Sequence, residues 1–300
     1  MPLVSQYYKI AGPVPFVDVD ISMDNDRFLD PHAIRLARGP QPHQRHAIEC
    51  MDTFLAEVTD CVIHGRRRGE ELLQRFTEPW ETRLGMSAEG FYGHGGGHDV
   101  GTWIWDALTG DVEALVRVGA LHQLEDLPLF VSGIDKDITS DVTSRIVYGP
   151  LADFTAEMIA TYPEFTASGH RVATFTRQVW NPVTNDWEER EITLPVADGK
   201  PLLLVPRHWA RRNLLMSAGR FWSTSVLSFA QFERAVVTSD GKVLKPRKED
   251  LAKVPGLTRG RGTNIRVTKR AIETAEDLVR KFKEFVDRKH MEPTEDNDAA

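Results

Sequence analysis

The spacing of apolar residues predicts helices through most of the first half of the chain. Between Gln44 and His64 these residues recur every three or four positions, and Gly65 ends the pattern before a shorter helix from Glu70 to Phe76. A second long pattern runs from Asp137 to Tyr162, and Pro150 is expected to kink or divide it. Shorter helices are expected after aspartates that suit the N-cap position: Asp30, Asp99 and Asp111.

Strand-like alternation occurs near the start of the chain and again after its middle. In FVDVDI, Phe16 to Ile21, the alternation places Asp18 and Asp20 on one face of a predicted strand. From residue 170, the runs RVATFTRQVW, WEEREITLPV and PLLLVP are separated by the turn sequences NPVTND and ADGK. They predict an antiparallel meander. Helical spacing returns at Ser217 to Val237 and at Asn264 to Lys289.

These patterns together predict an α+β fold. A mainly helical N-terminal part, 1–168, precedes a small antiparallel meander sheet and long basic C-terminal helices, 169–290. The acidic residues 291–300 are expected to form a disordered tail. A chain of 300 residues can bury a sizeable core, and the sequence leaves open whether the two parts share it.

The sequence predicts a cytoplasmic protein with no membrane partner. The N-terminus lacks a signal-peptide pattern, and no run of about 20 apolar residues occurs. Cys50 and Cys61 lie in one predicted helix, too far apart along its axis for a disulfide. Two buried thiols in a reducing compartment are therefore expected.

The net charge of −7 hides a strong polarity along the chain. Between Arg207 and Arg270 there are 15 Lys and Arg residues against 4 acids, so this segment carries +11 and the remainder −18. Such a basic segment on an acidic body favours a phosphate-rich or acidic partner.

Aspartates in two acidic clusters are candidate ligands for Mg²⁺ or Mn²⁺. The residues predicted to meet around the metal are Asp18, Asp20, Asp126 and Asp141. Hard oxygen ligands hold a divalent cation that activates water and neutralises the developing charge in phosphodiester cleavage. Helix capping and solvated acidic faces are the competing explanation for the same residues. The nuclease-like triplet Asp198-Gly199-Lys200 instead reads as a hairpin turn.

The glycine-rich stretch from Glu81 to Gly101 predicts an ordered loop whose candidate functional residues are Arg83, His94 and His98. His94-Gly95-Gly96-Gly97 resembles the oxyanion segment of α/β hydrolases, but the chain has no Gly-x-Ser-x-Gly nucleophile elbow. Ligation of a transition metal and cradling of a phosphate remain as alternatives for this loop.

The basic segment contains the predicted phosphate-binding residues. Arg259 and Arg261 lie on a glycine-containing loop before a helix that carries Arg266 in its first turn. Guanidinium groups and backbone amides at a helix start suit phosphate contacts, whereas a simple charged surface is the alternative. Trp209 and Trp222 are candidates for stacking on bases, and Phe221 is expected in the core.

Three stretches resemble segments of uncharacterised bacterial proteins from phage-defence or mobile-element loci. These are FVDVDISMDNDRFLDP, LEDLPLFVSGIDKDITSDVTSRIV and GKPLLLVPRHW, which span much of residues 16–209. The resemblance carries no established activity and no catalytic residue. It implies work on nucleic acid and a protein partner encoded nearby.

The sequence therefore predicts a cytoplasmic protein that binds DNA or RNA. In one hypothesis it is a divalent-metal phosphodiesterase of a defence system, with the aspartates holding the metal and the arginines the backbone. In the other it is a non-enzymatic subunit that binds nucleic acid or an acidic protein through the same basic surface. A sensor of a small phosphorylated ligand is a third hypothesis.

Overall fold

The computed structural model describes residues 2–76, 79–85 and 96–291, without the side chains of residues 96–99 and 291. Its first part is mainly helical, as predicted. In chain order the elements are α1 (Val4–Tyr8), β1 (Phe28–Leu29), α2 (Pro31–Leu36), α3 (His43–His64), α4 (Arg68–Leu73), α5 (Gly96–Thr109), α6 (Glu113–Arg117), α7 (Leu127–Phe130), α8 (Lys136–Ile146) and α9 (Tyr148–Thr161).

Helix α3 organises this part because its apolar face meets several neighbours at once. Met51, Phe54 and Val58 on that face are buried, and α3 contacts α2, α4, α5, α6, α8 and α9. Gly65 ends the helix in the left-handed conformation, with φ 65°, which glycine adopts without steric cost. The predicted helix from Gln44 to His64 is confirmed.

The predicted helix from Asp137 to Tyr162 is divided, as its proline indicated. The division falls at Val147, between α8 and α9, three residues before Pro150. Pro150 is the third residue of α9, where a missing N–H costs no helical hydrogen bond. Pro150 therefore lies in the first turn of the second helix and does not bend one continuous helix.

The predicted strand from Phe16 to Ile21 does not form a ladder. Phe16 makes one isolated bridge to Pro206, and Asp20 makes another to Leu3. Bonds from the Val17 amide to the Val205 carbonyl and from the Arg207 amide to the Pro15 carbonyl flank the first bridge, but the Val17 carbonyl accepts from the Val19 amide, so the pairing ends there. The segment is extended, and backbone hydrogen bonds hold its two ends against two different neighbours, residues 205–207 and 2–4.

The antiparallel meander is confirmed. Strands β2 (Arg171–Asn181), β3 (Asp186–Ala197) and β4 (Lys200–Pro201) pair in the order β2-β3-β4. Asp198 and Gly199 connect the last two with φ values of 48° and 74°, as a tight hairpin turn requires. The third strand is shorter than predicted. Its ladder has two residue pairs, Ala197 with Lys200 and Val196 with Pro201.

The C-terminal part contains short strands and the remaining helices. In chain order they are β5 (Ala210–Arg211), α10 (Ala218–Phe221), α11 (Leu227–Glu233), β6 (Val236–Val237), β7 (Val243–Leu244), α12 (Lys248–Leu251), α13 (Arg261–Glu273) and α14 (Leu278–Met291). A π-helical turn, Trp222–Val226, joins α10 to α11. β5 pairs with β1, which places Arg211 opposite Phe28.

Both predicted C-terminal helices differ from their expected bounds. The first ends at Glu233, and its last predicted residues form β6, which pairs with β7. The second is broken between α13 and α14, where Ala275 is left-handed with φ 59°. The Asp277 carboxylate then accepts a hydrogen bond from the Arg280 amide and so caps α14.

A single buried apolar cluster runs from Val4 to Val286 and includes residues of both predicted parts. It contains Trp180 and Trp209, each 2% exposed or less. The division of the chain into domains at residue 168 stays a prediction. Among the described residues, none of the helices combines the length and the apolar character that a membrane span needs.

Candidate functional site

Asp18 and Asp20, the first two predicted metal ligands, organise local backbone. The Asp18 carboxylate accepts hydrogen bonds from the Ser5 amide at 2.8 Å and the Ser5 hydroxyl at 2.5 Å. Asp20 accepts from the amide and the hydroxyl of Ser22, at 2.9 and 2.6 Å, and these bonds lower the pKa of Asp20. Both carboxylates therefore act as caps of a turn or a short helix.

Asp126 is fully buried, and a lysine holds it. Its carboxylate accepts a hydrogen bond from the Gln123 amide at 2.9 Å and lies 2.7 Å from the Lys283 ammonium of α14. Burial raises the pKa of Asp126 despite this cation. Asp141 is a half-buried residue of α8. Across residues 2–76, 79–85 and 96–291, no three His, Cys, Asp or Glu side chains are grouped as a metal would need. A Mg²⁺ or Mn²⁺ site thus stays a prediction.

Asp126 belongs to a buried charged network that links α2 to α14. Its neighbour Glu125, fully buried, lies 2.6 Å from Arg35 Nε and 3.3 Å from His32 Nδ1. The other ring nitrogen of His32 lies 2.7 Å from Asp287 of α14. Burial opposes ionisation of Glu125, but His32, Arg35 and Lys283 outweigh it and hold the pKa of Glu125 well below its usual range. We call the following six residues the buried network: His32, Arg35, Glu125, Asp126, Lys283 and Asp287.

The predicted functional loop is described only in part. Arg83 is 7% exposed and left-handed, and its guanidinium donates to the Trp80 carbonyl at 2.9 Å. Burial lowers the pKa of Arg83. His94 lies outside the described residues, and so does the side chain of His98. Helix α5 begins at Gly96, three residues before the predicted cap at Asp99. The functional assignment of this loop stays a prediction.

Two of the three predicted phosphate-binding arginines meet at one cavity. The cavity has a volume of about 500 Å³ and lies where α7, α8, α10 and α13 approach each other. Its charged lining residues are Lys136, Arg220, Arg259, Arg261 and Asp135. Arg266 is not part of the lining and donates to the Thr263 hydroxyl on its own helix.

Arg261 is the first residue of α13 and not a loop residue as predicted. Its Nε donates to the Pro128 carbonyl at 3.1 Å and its Nη2 to the Ile134 carbonyl at 2.5 Å. These two bonds fix one edge of the guanidinium against the end of α7. Burial lowers the pKa of Arg261, and the nearby charge of Asp135 opposes this shift.

Arg259 crosses the cavity wall above Gly219 of α10. A Cβ atom built on Gly219 would lie 2.2 Å from Nη2 of Arg259, well inside van der Waals contact. Only glycine therefore leaves room for this guanidinium. The first turns of α10 and α13 also face the cavity, and neither start has a side-chain cap. Their free amides add positive character to the same space.

More cations surround the mouth of the cavity. Arg211 is the last residue of β5, and Arg212 follows it. Burial lowers the pKa of Arg220, and the nearby charge of Arg211 lowers it further. Lys136 donates to the Arg212 carbonyl and to Asp26, both at 3.4 Å. Nε of Arg211 is buried and has no acceptor among the described residues. We call the following six residues the basic surface: Lys136, Arg211, Arg212, Arg220, Arg259 and Arg261.

Comparison with known families now places most of the chain. Residues 10–217 match the model of a domain of unknown function, DUF8370. The chain belongs to the DUF8370 family. No curated protein and no solved structure matches it.

The DUF8370 region ends inside the basic surface. Lys136, Arg211 and Arg212 lie within the matched residues, whereas Arg220, Arg259 and Arg261 follow them. The cavity is therefore closed by the DUF8370 region together with the helices that come after it. The buried network also crosses this boundary, since Lys283 and Asp287 lie beyond residue 217.

Sequence reasoning missed Lys136 as a member of the DUF8370 protein's basic surface. Lys136 stands between Asp135 and Asp137 in an acidic stretch, so local composition argues against it. Its ammonium lies 4.2 Å from the centre of the Phe28 ring, which fixes it beside β1. Only the packing of α8 on β1 reveals that it joins the arginines.

The aromatic residues of the basic segment are mainly structural. Trp209 and Phe221 are fully buried, as was expected for Phe221. Trp222 is half-buried and donates its indole N–H to the Leu257 carbonyl at 2.9 Å. Asp198 and Lys200 flank an exposed turn. None of these five residues lines the cavity.

Proposed function

We propose that this protein binds nucleic acid through the basic surface. The observation that carries the proposal is the meeting of Arg259 and Arg261 with Arg220 and Lys136 around one open cavity. Phosphate groups are the natural partners of such a cluster, because Arg forms paired, charge-assisted hydrogen bonds with them.

The electrostatics of the surface support an anionic partner. Within the described part of the chain, none of the five arginines of the basic surface forms an ion pair with a carboxylate. Asp135 lines the cavity, but its carboxylate accepts the amides of Asp137 and Ile138 and so caps α8. The cations of the basic surface outnumber the acids beside them, Asp26 and Asp135, and like charges held together raise the free energy of the free protein. Bound phosphates would relieve that repulsion.

The cavity favours a single strand over a duplex. Its walls combine the cations with apolar groups of Pro128, Ile134 and Leu214, which suit a sugar or a base. A single strand can place one nucleotide there at no pairing cost, whereas a duplex would first have to unpair. The cations outside the cavity would then follow the neighbouring phosphates.

Binding without turnover is the activity that the geometry favours. The metal-dependent phosphodiesterase predicted from the aspartates lacks an assembled ligand set in the described part of the chain. Asp126 in particular is already paired with Lys283. A subunit that holds nucleic acid for a partner protein, in the cytoplasm of a bacterium and within a defence system, is the wider role that we propose from the sequence resemblance.

Electrophoretic shift and cleavage assays test this proposal directly. The unmodified protein is mixed with labelled single- and double-stranded DNA and RNA, in EDTA, Mg²⁺ or Mn²⁺, at two salt concentrations. We expect salt-sensitive shifts, tighter for single strands, without fragments under any metal. Fragments that form only with a metal would instead support the hypothesis of a metal-dependent phosphodiesterase. If neither shifts nor fragments are observed, a nucleic-acid role for the basic surface is excluded.

A further inference from the structure

A second cavity lies away from the basic surface and shares no residue with it. It has a volume of about 550 Å³ and is enclosed by the turn Trp80–Thr82, the adjoining ends of α8 and α9, and strand β2. Its side chains include Trp80, Glu81, Arg145, Tyr148 and Arg177. All of its lining falls within the DUF8370 region. A volume of this size suits a small organic molecule.

Three polar groups of this cavity are buried and held in place. Glu81, Arg145 and Tyr148 are 4%, 5% and 2% exposed. One Glu81 oxygen accepts from Arg177 Nε at 2.9 Å and from the Tyr148 hydroxyl at 3.3 Å. A site whose charged groups are fixed before a ligand arrives loses little conformational entropy on binding.

Arg145 is fixed by backbone and amide acceptors and not by a carboxylate. Its Nε donates to the Arg75 carbonyl at 3.1 Å, its Nη2 to the Gln178 side chain at 2.9 Å, and its Nη1 to the Gln178 carbonyl. Three of its five N–H groups are used in this way. Its guanidinium also lies 4.6 Å from the centre of the Trp187 ring.

The cavity is short of negative charge. Among the described residues that line it, Arg145 and Arg177 face one carboxylate, Glu81, and that carboxylate is bonded to Arg177. Burial lowers the pKa of Arg145 to about 10, because the opposing charge of Glu81 does not offset burial and the nearby charges of Arg177 and Arg75 add to it. A buried guanidinium that is not neutralised is costly, so an anion entering the cavity would be stabilised.

One wall offers an aromatic surface. Trp80 is 43% exposed although it lines the cavity, and the Arg83 guanidinium lies 5.2 Å from the centre of its ring. An exposed indole beside buried cations suits a ligand that carries a planar ring next to its negative charge. Inorganic anions would leave this wall unused.

We propose that this cavity binds a small organic anion with a planar ring, through Arg145, Arg177 and the indole of Trp80. Nucleoside 5′-monophosphates and aromatic carboxylates share that chemistry. In either case the anionic group meets the two guanidinium groups and the ring packs on Trp80. The site is independent of nucleic-acid binding at the basic surface.

Isothermal titration calorimetry on the full chain tests this inference. The probes are the common nucleoside 5′-monophosphates, salicylate and indole-3-acetate, with inorganic phosphate and uncharged nucleosides as controls. We expect saturable binding by one of the two ring-bearing classes, at least about tenfold tighter than by phosphate or nucleoside alone. The class that binds identifies the anionic group.

Two variants and a matched control locate the binding. Arg177→Gln should weaken it about tenfold, because a charge-assisted hydrogen bond is lost. Arg171→Gln, an exposed arginine on the same strand, should leave it unchanged, and so should Arg259→Gln at the basic surface. If Arg177→Gln fails to fold by circular dichroism, the exposed Trp80→Ala replaces it with a similar expected loss. Absence of saturable binding, or binding that is unchanged in a folded cavity variant, would overturn the inference.

Discussion

The buried network around Glu125 and the basic surface around Arg259 both collect charged side chains, but they differ in how the charges are paired. In the buried network Glu125 contacts Arg35 and His32, and Asp126 contacts Lys283. Each fully buried carboxylate thus has its own cation. In the basic surface the arginines cluster around an open cavity and form no ion pairs with carboxylates in the described part of the chain.

This difference separates a structural role from a binding role. Balanced charges inside a protein fix the positions of the elements that carry them, here α2 and α14. Unbalanced charges at a cavity store repulsion that a ligand can relieve. Changes in the first region should therefore alter stability, and changes in the second should alter binding with little effect on stability.

The largest expected effect is that of Glu125→Gln on stability. The substitution keeps the shape of the side chain but leaves Arg35 and His32 beside a neutral amide. Removal of one partner from a buried ion pair costs about 3 kcal/mol or more, because the remaining charge stays poorly solvated. Urea unfolding followed by circular dichroism measures the change in the free energy of unfolding.

Glu113→Gln is the matched control, since Glu113 pairs with Arg117 on the surface of α6. A surface pair one helical turn apart contributes only about 0.5 kcal/mol. Equal losses in the two variants would show that the buried network does not differ from an ordinary surface pair.

The pH dependence of stability should carry the signature of the same network. The pKa of Glu125 is lowered to about 2 in the folded protein, so its stabilisation is complete above the unfolded value of about 4.3 and is lost as the pH falls from there through the folded value. The pKa of His32 is raised, so its contribution is present below about 6.5 and is lost as the pH rises through the folded value. Asp126, whose pKa burial raises, opposes Glu125 at low pH.

Unfolding free energies between pH 3 and pH 8 check this dependence. For each proton that the unfolded state binds beyond those bound by the folded state, the free energy of unfolding rises by about 1.4 kcal/mol per pH unit. In Glu125→Gln the loss of stability on acidification should be smaller than in the unmodified protein. An unchanged acid slope in that variant would place the titrating group elsewhere.

Gly219→Ala should give a smaller effect, on binding alone. Alanine stabilises a helix by about 0.5–1 kcal/mol relative to glycine, but its Cβ would displace the Arg259 guanidinium from the cavity wall. We expect unchanged or increased stability together with a loss of affinity for single-stranded nucleic acid of about threefold. Fluorescence anisotropy with a labelled strand and thermal unfolding measure the two quantities.

Gly262→Ala provides its control on α13. A Cβ there would lie 3.5 Å from the Arg266 guanidinium, which is ordinary contact, so Arg259 keeps its place. We expect a comparable gain in stability and no change in affinity. If both alanines weaken binding equally, the position of Arg259 over Gly219 is unimportant for the ligand.

The sequence predicted those elements that depend on interactions between neighbouring residues, such as helix caps and tight turns. Asp30 caps α2 through the amides of His32 and Ala33, as its place before Pro31 indicated. The Asp-Gly turn between β3 and β4 also forms as predicted. The segment from Phe16 to Ile21 alternates correctly but forms no ladder, because pairing depends on what lies beside a strand and the two ends of this segment pair with different neighbours.

The candidate site was predictable only where its residues are close in sequence. Arg259 and Arg261 stand two positions apart beside glycines, and both reach the cavity. Lys136 and Arg220 come from distant elements, and no local pattern links them to these arginines. Asp126 illustrates the opposite error, since its pairing with Lys283 depends on a contact between residues 157 positions apart, 283 − 126.

The salt dependence of nucleic-acid binding tests the central claim most directly. The binding constant for a labelled single strand is measured over a range of salt concentrations for the unmodified protein, for Arg220→Gln with Arg259→Gln, and for Arg270→Gln. Arg270 belongs to the same basic segment, but Glu233 pairs with it at 2.7 Å. The double variant should reduce the slope of log binding constant against log salt by about 1.4, since each lost phosphate contact removes about 0.7. Arg270→Gln should leave the slope unchanged. Equal slopes in all three proteins would contradict the assignment of the basic surface.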